Sequence, residues 1–380
     1  MSLIKIKNNI TNNLKNIYGW KTDRKIVVFS VDDYGNVRVD SKEARDQMNK
    51  QGLKIMNRFD ALDTLETRED LEASYEVLSS VKDKTGRHAV FTPFALSCNI
   101  DFEKMADEGY ENYYYELLSD TFKKLSEKYP KAYSGAYDLI MEGIKEEIFL
   151  PQFHGREHLN LKVFEEKLKK RDHELMTALE NRSFTSISMS GYSTISTAAA
   201  FDFWEFEENE KFDKIIREGL TAFKKVYGYS SNHFNAPAGR EHPIIHNTLN
   251  KCGVEYIDTP FIKKEHQGKG KYKTIINYTG KQNRLGQTFL VRNVVFEPTE
   301  KRNIDWVPYT LKQIEAAFRW KRPAIISSHR VNFCGFIEEK NRLKGLEAVR
   351  KLLHEIVKRW PEVEFMAANE LGDLVVGDKK

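Results

Sequence analysis

The chain has 380 residues, of which 40% are hydrophobic and 12% aromatic, enough for one large domain or two smaller ones. Its 60 basic and 56 acidic side chains are mixed along the sequence and give a net charge of +4, so no nucleic-acid-binding stripe is indicated. The three cysteines, Cys98, Cys252 and Cys334, are far apart, which excludes a disulfide framework and indicates reduced thiols in a cytoplasmic protein.

Segments with strand and helix patterns alternate, which predicts an α/β fold with a mainly parallel sheet. In chain order the patterns predict a strand at 25–31, helices at 40–50 and 67–82, a strand at 87–96, a helical segment at 101–131, a strand at 148–150, helices at 159–170, 211–226 and 244–251, strands at 254–258 and 288–296, a helix at 311–320, a strand at 323–328, a helix at 342–359 and a strand at 364–366. Residues 266–273 (HQGKGKYK) are predicted to form a flexible, basic loop.

No apolar stretch reaches membrane-spanning length. The first 20 residues contain lysines but no continuous hydrophobic segment, so they do not have the pattern of a secretory signal. We therefore expect a cytoplasmic protein, with a leader removed before residue 1 as the open alternative. The sequence does not indicate an oligomeric state.

Two adjacent carboxylates, Asp32 and Asp33, stand where the first predicted strand ends. The run before them, KIVVFSV, is typical of a strand buried on both faces, and the carboxyl ends of parallel strands carry the chemistry of such folds. Two neighbouring anions at the edge of a core need a cation or a proton beside them. A surface turn closed by Gly35 is the alternative interpretation, and the pair alone leaves it open.

A histidine pair four residues apart, His154 and His158, can reach one metal ion from a single helical turn. Pro151 upstream and Gly155 between the histidines predict that this turn begins a helix. Chance pairs at this spacing also occur in a chain with ten histidines, so spacing alone does not assign a metal site.

The order of these motifs resembles the polysaccharide deacetylase family, carbohydrate esterase family four, whose catalytic domain is the NodB-homology domain. The family's first motif, Thr-Phe-Asp-Asp-Gly, is similar to residues 29–35 (FSVDDYG), with one more residue before the glycine. Its His-x-x-x-His motif is matched by His154 and His158. Its last motif, a strand that ends in a histidine, is matched by residues 325–329 with His329.

Two further motifs resemble the family less closely. Residues 235–239 (NAPAG) are similar to Arg-x-Pro-x-Gly, with Asn235 where the family has arginine, and Asp305-Trp306 is similar to its Asp-Trp pair. The resemblance spans nearly the whole chain. It implies one catalytic domain, 1–380, with the fold of a distorted (β/α) barrel of the polysaccharide deacetylase type and helical and loop insertions around 34–86, 99–145 and 259–304.

The resemblance also implies roles for these residues. Asp33, His154 and His158 would bind a divalent metal, with zinc as the first expectation, and leave a position open for water. Asp32 would be the general base that activates the water. His329 would be the general acid, because the pKa of imidazole lies near neutral pH. Asp305 would orient His329, and Asp258 is the competing candidate.

Three positions would complete the site. The backbone N–H of Ala238 would stabilise the oxyanion, and Trp306 would line a pocket for the acetyl methyl group. Asn235 can donate a hydrogen bond to the base but carries no charge, so Arg156 or Arg240 is a candidate for the missing cation.

The expected function is metal-dependent removal of an N-acetyl group from a sugar or glycan, with no nucleic-acid partner. A metal-dependent amidase or esterase with another acyl substrate is the first alternative. A 2-His-1-carboxylate iron oxygenase uses the same ligand types but has no role for Asp32 or His329. A non-catalytic glycan-binding protein on the same scaffold is the non-enzymatic alternative, which the asparagine at 235 favours.

Overall fold

The computed structural model describes residues 11–186 and 195–378, so the first ten residues of the segment tested for a secretory signal lie outside it. The strands are β1 (Lys25–Tyr34), β2 (Phe91–Leu96), β3 (Cys98–Ile100), β4 (Tyr115–Leu117), β5 (Gln152–Gly155), β6 (His233–Phe234), β7 (Tyr256–Thr259), β8 (Ile262–His266), β9 (Tyr272–Ile276), β10 (Thr288–Val291), β11 (Val294–Val295), β12 (Ala324–His329) and β13 (Val363–Phe365). The α-helices are α1 (Lys42–Lys50), α2 (Arg58–Leu62), α3 (Arg68–Ser79), α4 (Phe102–Asp107), α5 (Leu118–Lys128), α6 (Pro130–Tyr133), α7 (Ala136–Lys145), α8 (Leu161–Lys169), α9 (His173–Glu180), α10 (Phe212–Tyr227), α11 (His246–Lys251), α12 (Trp306–Arg319), α13 (Glu339–Arg359) and α14 (Ala368–Gly377).

The main sheet has the strand order β10-β7-β6-β5-β2-β1-β12-β11, with parallel pairing throughout, and β13 pairs with the start of β1. β10 and β11 stand at opposite ends of this order but are separated in the chain only by Arg292 and Asn293. Consecutive Cα atoms are 3.8 Å apart, so the two ends of the sheet meet within about 11 Å. The sheet therefore curves into a distorted barrel, which confirms the predicted (β/α) barrel.

β1 is buried on both faces, as its apolar run predicts. Val27, Phe29 and Val31 belong to the large hydrophobic core that the surrounding helices cover. Ile26 and Val28 belong to a second cluster, which includes side chains of α14. Alternate residues of one strand thus stabilise two separate cores, which fixes the register of the strand and the position of its carboxyl end.

Four sequence predictions are corrected by the structure. The strand predicted at 288–296 is divided into β10 and β11, which stand at opposite ends of the strand order. The predicted helix at 101–131 is interrupted, because Gly109 and Tyr110 have positive φ and β4 then pairs with β3. The strand predicted at 148–150 begins only at Gln152. The flexible loop predicted at 266–273 is the tip of an antiparallel hairpin formed by β8 and β9.

The segment 34–86, expected to be an insertion, is tied to the barrel by buried ion pairs. Arg330, which follows β12 and is 1% exposed, donates from Nε to Asp63 at 3.1 Å and from Nη1 to Glu66 at 2.7 Å. Glu66 also accepts the backbone N–H of Gly35 at 3.1 Å. These contacts fix the turn that follows the two carboxylates of β1.

Among residues 11–186 and 195–378, no helix has both the length and the apolar character needed to cross a membrane.

Candidate functional site

A bulge at the end of β1 explains how two adjacent carboxylates lie on the same side of the sheet. Val31 pairs with Pro93 of β2 and Tyr34 pairs with Ala95, so β1 has one more residue than β2 between these pairs. In a regular strand, neighbouring side chains point to opposite faces. Asp33 has a φ of 77°, and the extra residue lets both Asp32 and Asp33 reach the carboxyl end of the barrel.

A second bulge positions the first histidine. Ala95 pairs with Phe153 of β5 and the next residue of β2, Leu96, pairs with Gly155, so His154 is the extra residue of β5. His158 lies in the loop between β5 and α8. The prediction that one helical turn presents both histidines is therefore wrong. The bulge and the loop, not helical periodicity, bring the two imidazoles together.

Asp33, His154 and His158 converge on one point. The Oδ1 atom of Asp33 lies 3.4 Å from Nε2 of His154 and 3.1 Å from Nε2 of His158, and all three side chains are buried. The Nδ1 atom of His154 donates to the backbone oxygen of Asn235 at 2.8 Å, which leaves the lone pair on Nε2. This Nε2 has no hydrogen-bond partner among the described residues. One carboxylate and two imidazoles, with a buried ring nitrogen free to bind, fit a divalent metal such as zinc.

The electrostatics of the three groups agree with a cation site. Burial raises the pKa of Asp33, but its contacts with the imidazoles of His154 and His158 outweigh this effect and hold the pKa well below its usual value. Burial lowers the pKa of His158, and its contact with Asp33 offsets only part of that effect. Asp33 is thus an anion and His158 is neutral near pH 7, which are the protonation states that metal ligands require.

Asp32 is held by two side chains from distant parts of the sequence. Asn235 donates from Nδ2 to Oδ1 at 2.9 Å. Arg292 donates from Nη1 to Oδ2 at 2.6 Å and from Nη2 to Oδ1 at 2.8 Å, a bidentate ion pair. Arg292 therefore supplies the positive charge that asparagine lacks.

Neither arginine suggested from the sequence for this charge does so. Arg156 pairs with Glu157 and Glu218, with its guanidinium over the ring of Tyr115. Arg240 lies over the ring of Tyr272, 5.5 Å from its centroid. The prediction that one of them replaces the arginine of the third motif is wrong.

Arg292 is itself oriented by buried groups. Its Nε donates to Oδ2 of Asp258 at 2.6 Å, and Oδ1 of Asp258 lies 3.1 Å from Nε2 of His233. The guanidinium lies 4.8 Å from the ring centroid of Phe94, which contacts His233 from inside the barrel. Asp258, considered as a partner of His329, thus holds Arg292 instead. The sequence did not predict a role for Arg292, because a single charged residue within the predicted strand 288–296 is expected to face solvent.

His329 lies next to Asp32 because the two residues are partners in the register of β12 and β1. Its Nε2 is 3.9 Å from Oδ2 of Asp32, and its Nδ1 donates to Oε1 of Glu297 at 2.6 Å. Burial lowers the pKa of His329, but Glu297 outweighs this effect and raises it to about 9. Glu297 is in turn held by Nδ2 of Asn332 at 2.8 Å.

Glu297, not Asp305, is the carboxylate that orients His329, so the predicted pairing is wrong. Asp305 is exposed at the N-terminal end of α12. Trp306, expected to line an acetyl pocket, packs in the large core with Tyr309 against its ring at 5.6 Å. Among the described residues, the ring that contacts His329 is Phe59, at a centroid distance of 5.2 Å.

The remaining predicted position, Ala238, lies in a short 3₁₀ turn, Pro237–Gly239, directly after Asn235. It is exposed and has a φ of 56°. Asp32 is 8% exposed and the side chain of His329 is 31% exposed, whereas Asp33 is 4% exposed. The acid candidate is therefore partly open to solvent, whereas the base candidate and the ligand set are buried.

No family model matches the chain, and no curated protein matches it. Among solved structures, the chain is similar to a 4-alpha-glucanotransferase from Thermococcus litoralis, with 10% identity and a TM-score of 0.45 over 92% of this chain. The chain spans only 40% of the length of that protein.

Two further structures are similar over most of both chains. A Mycobacterium smegmatis protein assigned as a polysaccharide deacetylase has 12% identity and a TM-score of 0.43, with 95% of this chain and 94% of that one covered. An allantoinase has 11% identity and a TM-score of 0.42, with 93% and 91% covered. Such low identities and TM-scores do not assign a reaction to this chain.

Proposed function

We propose that this protein is a metal-dependent hydrolase that removes an N-acetyl group from a sugar or glycan. The observation that supports it best is the convergence of Asp33, His154 and His158 beside two further groups, Asp32 and His329, that suit acid–base chemistry. The choice of an N-acetylated sugar rests on the resemblance of these motifs to the polysaccharide deacetylase family.

Asp33, His154 and His158 would hold the metal. A divalent ion in such a site lowers the pKa of its water to about 7 and polarises the acyl carbonyl. The hydrogen bond from His154 Nδ1 to Asn235 keeps the ring in the tautomer that presents Nε2. Asn235 thus acts on two site residues at once, through its backbone oxygen on His154 and its side chain on Asp32.

Asp32 acts as the general base. Oδ1 of Asp32 accepts from both Arg292 and Asn235, whereas Oδ2 accepts only from Arg292 and keeps a second lone pair for a proton. The proton that Asp32 removes comes from the water that attacks the acetyl carbonyl. The guanidinium of Arg292 supplies a positive charge beside this carboxylate and holds it in a fixed orientation.

His329 acts as the general acid. Its raised pKa keeps the imidazole protonated at neutral pH, and Glu297 holds Nδ1 so that Nε2 faces the side of Asp32. When the amide C–N bond breaks, Nε2 gives its proton to the departing amine, and the products are acetate and a free amino sugar. The exposed backbone of Ala238 is the candidate second donor to the oxyanion.

The experiment is acetate release from chitotetraose by the purified protein, measured before chelation, after chelation and after zinc is added back, with bound metal determined in parallel. Asp33→Ala and His158→Ala are expected to lose both bound metal and acetate release. Asp107→Ala and His354→Ala change exposed residues of the same types and serve as matched controls.

Acetate release that survives in Asp33→Ala, or a wild-type protein that binds no divalent ion, would refute the metal assignment. An N-acetylated amino acid and an acetate ester are assayed beside the sugar. If either compound is hydrolysed faster than the sugar, the proposed substrate becomes that acyl compound. The roles assigned to the site residues would not change.

A further inference from the structure

Positive charge is concentrated in one surface element, the hairpin of β8 and β9 with the turn that follows it. Residues 262–285 hold seven basic and one acidic side chains, a charge of +6, whereas the whole chain carries +4. The rest of the chain therefore carries −2. Net positive charge is thus concentrated in one continuous segment, and we call residues 262–285 the basic hairpin.

Three exposed lysines of the basic hairpin form no ion pair with the described residues, although Glu265 is the cross-strand partner of Lys273. Lys264, Lys271 and Lys273 are exposed, and no acidic group lies within ion-pair distance of them among residues 11–186 and 195–378. Lys263 and Lys269 differ, because Lys263 is buried against Glu241 and Lys269 pairs with Glu205. The three unpaired lysines produce a local field that favours an anionic ligand.

The first residue of the basic hairpin lies near the candidate active site. β8 begins three residues after Thr259, the last residue of β7, and Asp258 contacts Arg292 beside Asp32. Four residues of extended chain span at most about 14 Å, so Ile262 lies within that distance of Asp258.

A chain of buried contacts anchors the basic hairpin to the loop that carries His158. His266 donates from Nδ1 to Asp202 at 2.7 Å, and its ring is stacked between Phe203 and Tyr272, each at 4.8 Å. Asn160, which follows His158 by two residues, donates from Nδ2 to the backbone oxygen of Asp202 at 2.8 Å. The basic hairpin is therefore a fixed rim of the barrel mouth.

One face of the basic hairpin also presents apolar surface. Ile262 and Ile276 are direct cross-strand partners and are 56% and 55% exposed. The ring of Tyr272 stacks on His266 at 4.8 Å, and the guanidinium of Arg240 lies 5.5 Å from its centroid. Ile262 and Ile276 share a face of the hairpin with Lys264, and an aliphatic surface beside a cation suits the C–H faces and acidic groups of a polysaccharide.

We propose that the basic hairpin binds an acidic glycan and guides its N-acetylated sugars into the site formed by Asp32, Asp33, His154, His158 and His329. This inference rests on the proposed function and narrows it from N-acetylated glycans in general to those with carboxylate groups.

The test is a binding measurement that does not depend on catalysis. Fluorescently labelled oligosaccharides of hyaluronan, which is N-acetylated and carboxylated, are titrated against the protein beside chitin oligosaccharides of the same length, which are neutral. Wild-type protein is expected to bind the hyaluronan probe about tenfold tighter or more at low salt, with most of this preference lost at 0.5 M salt because exposed charges are then screened.

The variant Lys264→Glu/Lys271→Glu/Lys273→Glu is expected to lose that preference and still release acetate from chitotetraose at the wild-type rate. The control Lys340→Glu/Lys344→Glu/Lys358→Glu changes the net charge by the same amount on exposed positions of α13 and should keep the preference. If the first variant unfolds at a lower temperature, the triple Lys→Gln variant replaces it.

Equal affinity of wild type for both probes, or an unchanged preference in the Lys→Glu and Lys→Gln hairpin variants, would overturn the inference. So would tighter binding to duplex DNA or to phosphatidylserine vesicles than to hyaluronan, which would assign the basic hairpin to nucleic acid or to a membrane surface. Failure of the proposed function is separate: wild type would then bind the acidic probe but release no acetate from either sugar.

Discussion

The positive charge beside Asp32 comes from Arg292, which lies 57 positions after Asn235 of the NAPAG motif. The guanidinium bridges two carboxylates, those of Asp32 and Asp258. The planar guanidinium makes the bidentate contact with Asp32 through its two Nη atoms while Nε donates to Asp258. The single amino group of lysine cannot make both contacts.

We predict that Arg292→Lys lowers kcat/KM for acetate release about 100-fold, with bound metal unchanged, because the base loses its bidentate partner while the ligand set stays intact. Parallel measurement of kinetics and metal content checks this. Arg319→Lys, at an exposed ion pair with Glu315, is the matched control and should leave kcat/KM unchanged. An Arg292→Lys enzyme with wild-type kcat/KM would contradict the role assigned to this arginine.

The pair of His329 and Glu297 gives a pH-dependent contribution to stability. The folded pKa of His329 is about 9 and the unfolded value is near 6.5, so this contribution is fully present below pH 6.5 and is lost as pH rises through 9. We predict that the difference in unfolding free energy between wild type and Glu297→Gln shrinks by about 1–2 kcal/mol from pH 6 to pH 9.5, a value reduced because the imidazole is partly exposed.

Urea unfolding of the metal-free proteins at a series of pH values measures this difference. Glu339→Gln, at an exposed position of α13, is the control and should run parallel to wild type. Parallel curves for Glu297→Gln would show that Glu297 does not raise the pKa of His329.

At the scale of elements, the strands that end at Asp32 and His329 could be predicted from the sequence, but the irregularities of the sheet could not. The apolar runs before Asp32 and His329 place both residues at strand ends, and the structure puts them opposite each other in β1 and β12. The bulges at Asp33 and His154 depend on how β2 pairs with its two neighbours. Such a register involves residues far apart in the chain, which no local pattern records.

The same reason explains which site residues the sequence reveals. Asp33, His154 and His158 stand out because ligand types recur at short spacings, and the structure brings these three together. Glu297 and Arg292 have no such spacing, since each is an isolated charged residue near an apolar run. Their roles follow only from tertiary contacts with His329 and Asp32.

The segment 34–86 is bound to the barrel through Arg330, and we predict that Arg330→Ala lowers the unfolding free energy by about 3–5 kcal/mol. The substitution would leave Asp63 and Glu66 buried without their cation. Arg350→Ala removes an exposed ion pair with Glu76 and should lower the unfolding free energy by only about 0–1 kcal/mol. It is therefore the matched control, and urea unfolding measures both variants. Equal losses in the two variants would show that the buried pair does not tie this segment to the barrel.

At the scale of the whole molecule, metal binding is coupled to folding, because the ligands come from β1 and from the β5 region, which adopt this arrangement only in the folded barrel. We predict that free zinc at 100 times its dissociation constant stabilises the protein by about 2.7 kcal/mol. Thermal unfolding with zinc and with a chelator measures this effect.

Asp33→Asn should abolish the zinc-dependent rise in unfolding temperature, whereas Asp107→Asn, at an exposed position, should retain it. A rise of the same size in Asp33→Asn would place the zinc elsewhere on the protein.

The position of Arg292 also has a consequence for how related chains evolve. One guanidinium occupies the space beside Asp32, so a second arginine at position 235 would bring two like charges together, and the loss of both would leave the base without a counterion. The double exchange Asn235→Arg/Arg292→Asn should therefore recover activity that each single exchange loses. In an alignment of such proteins, arginine at one of these two positions is expected to exclude arginine at the other.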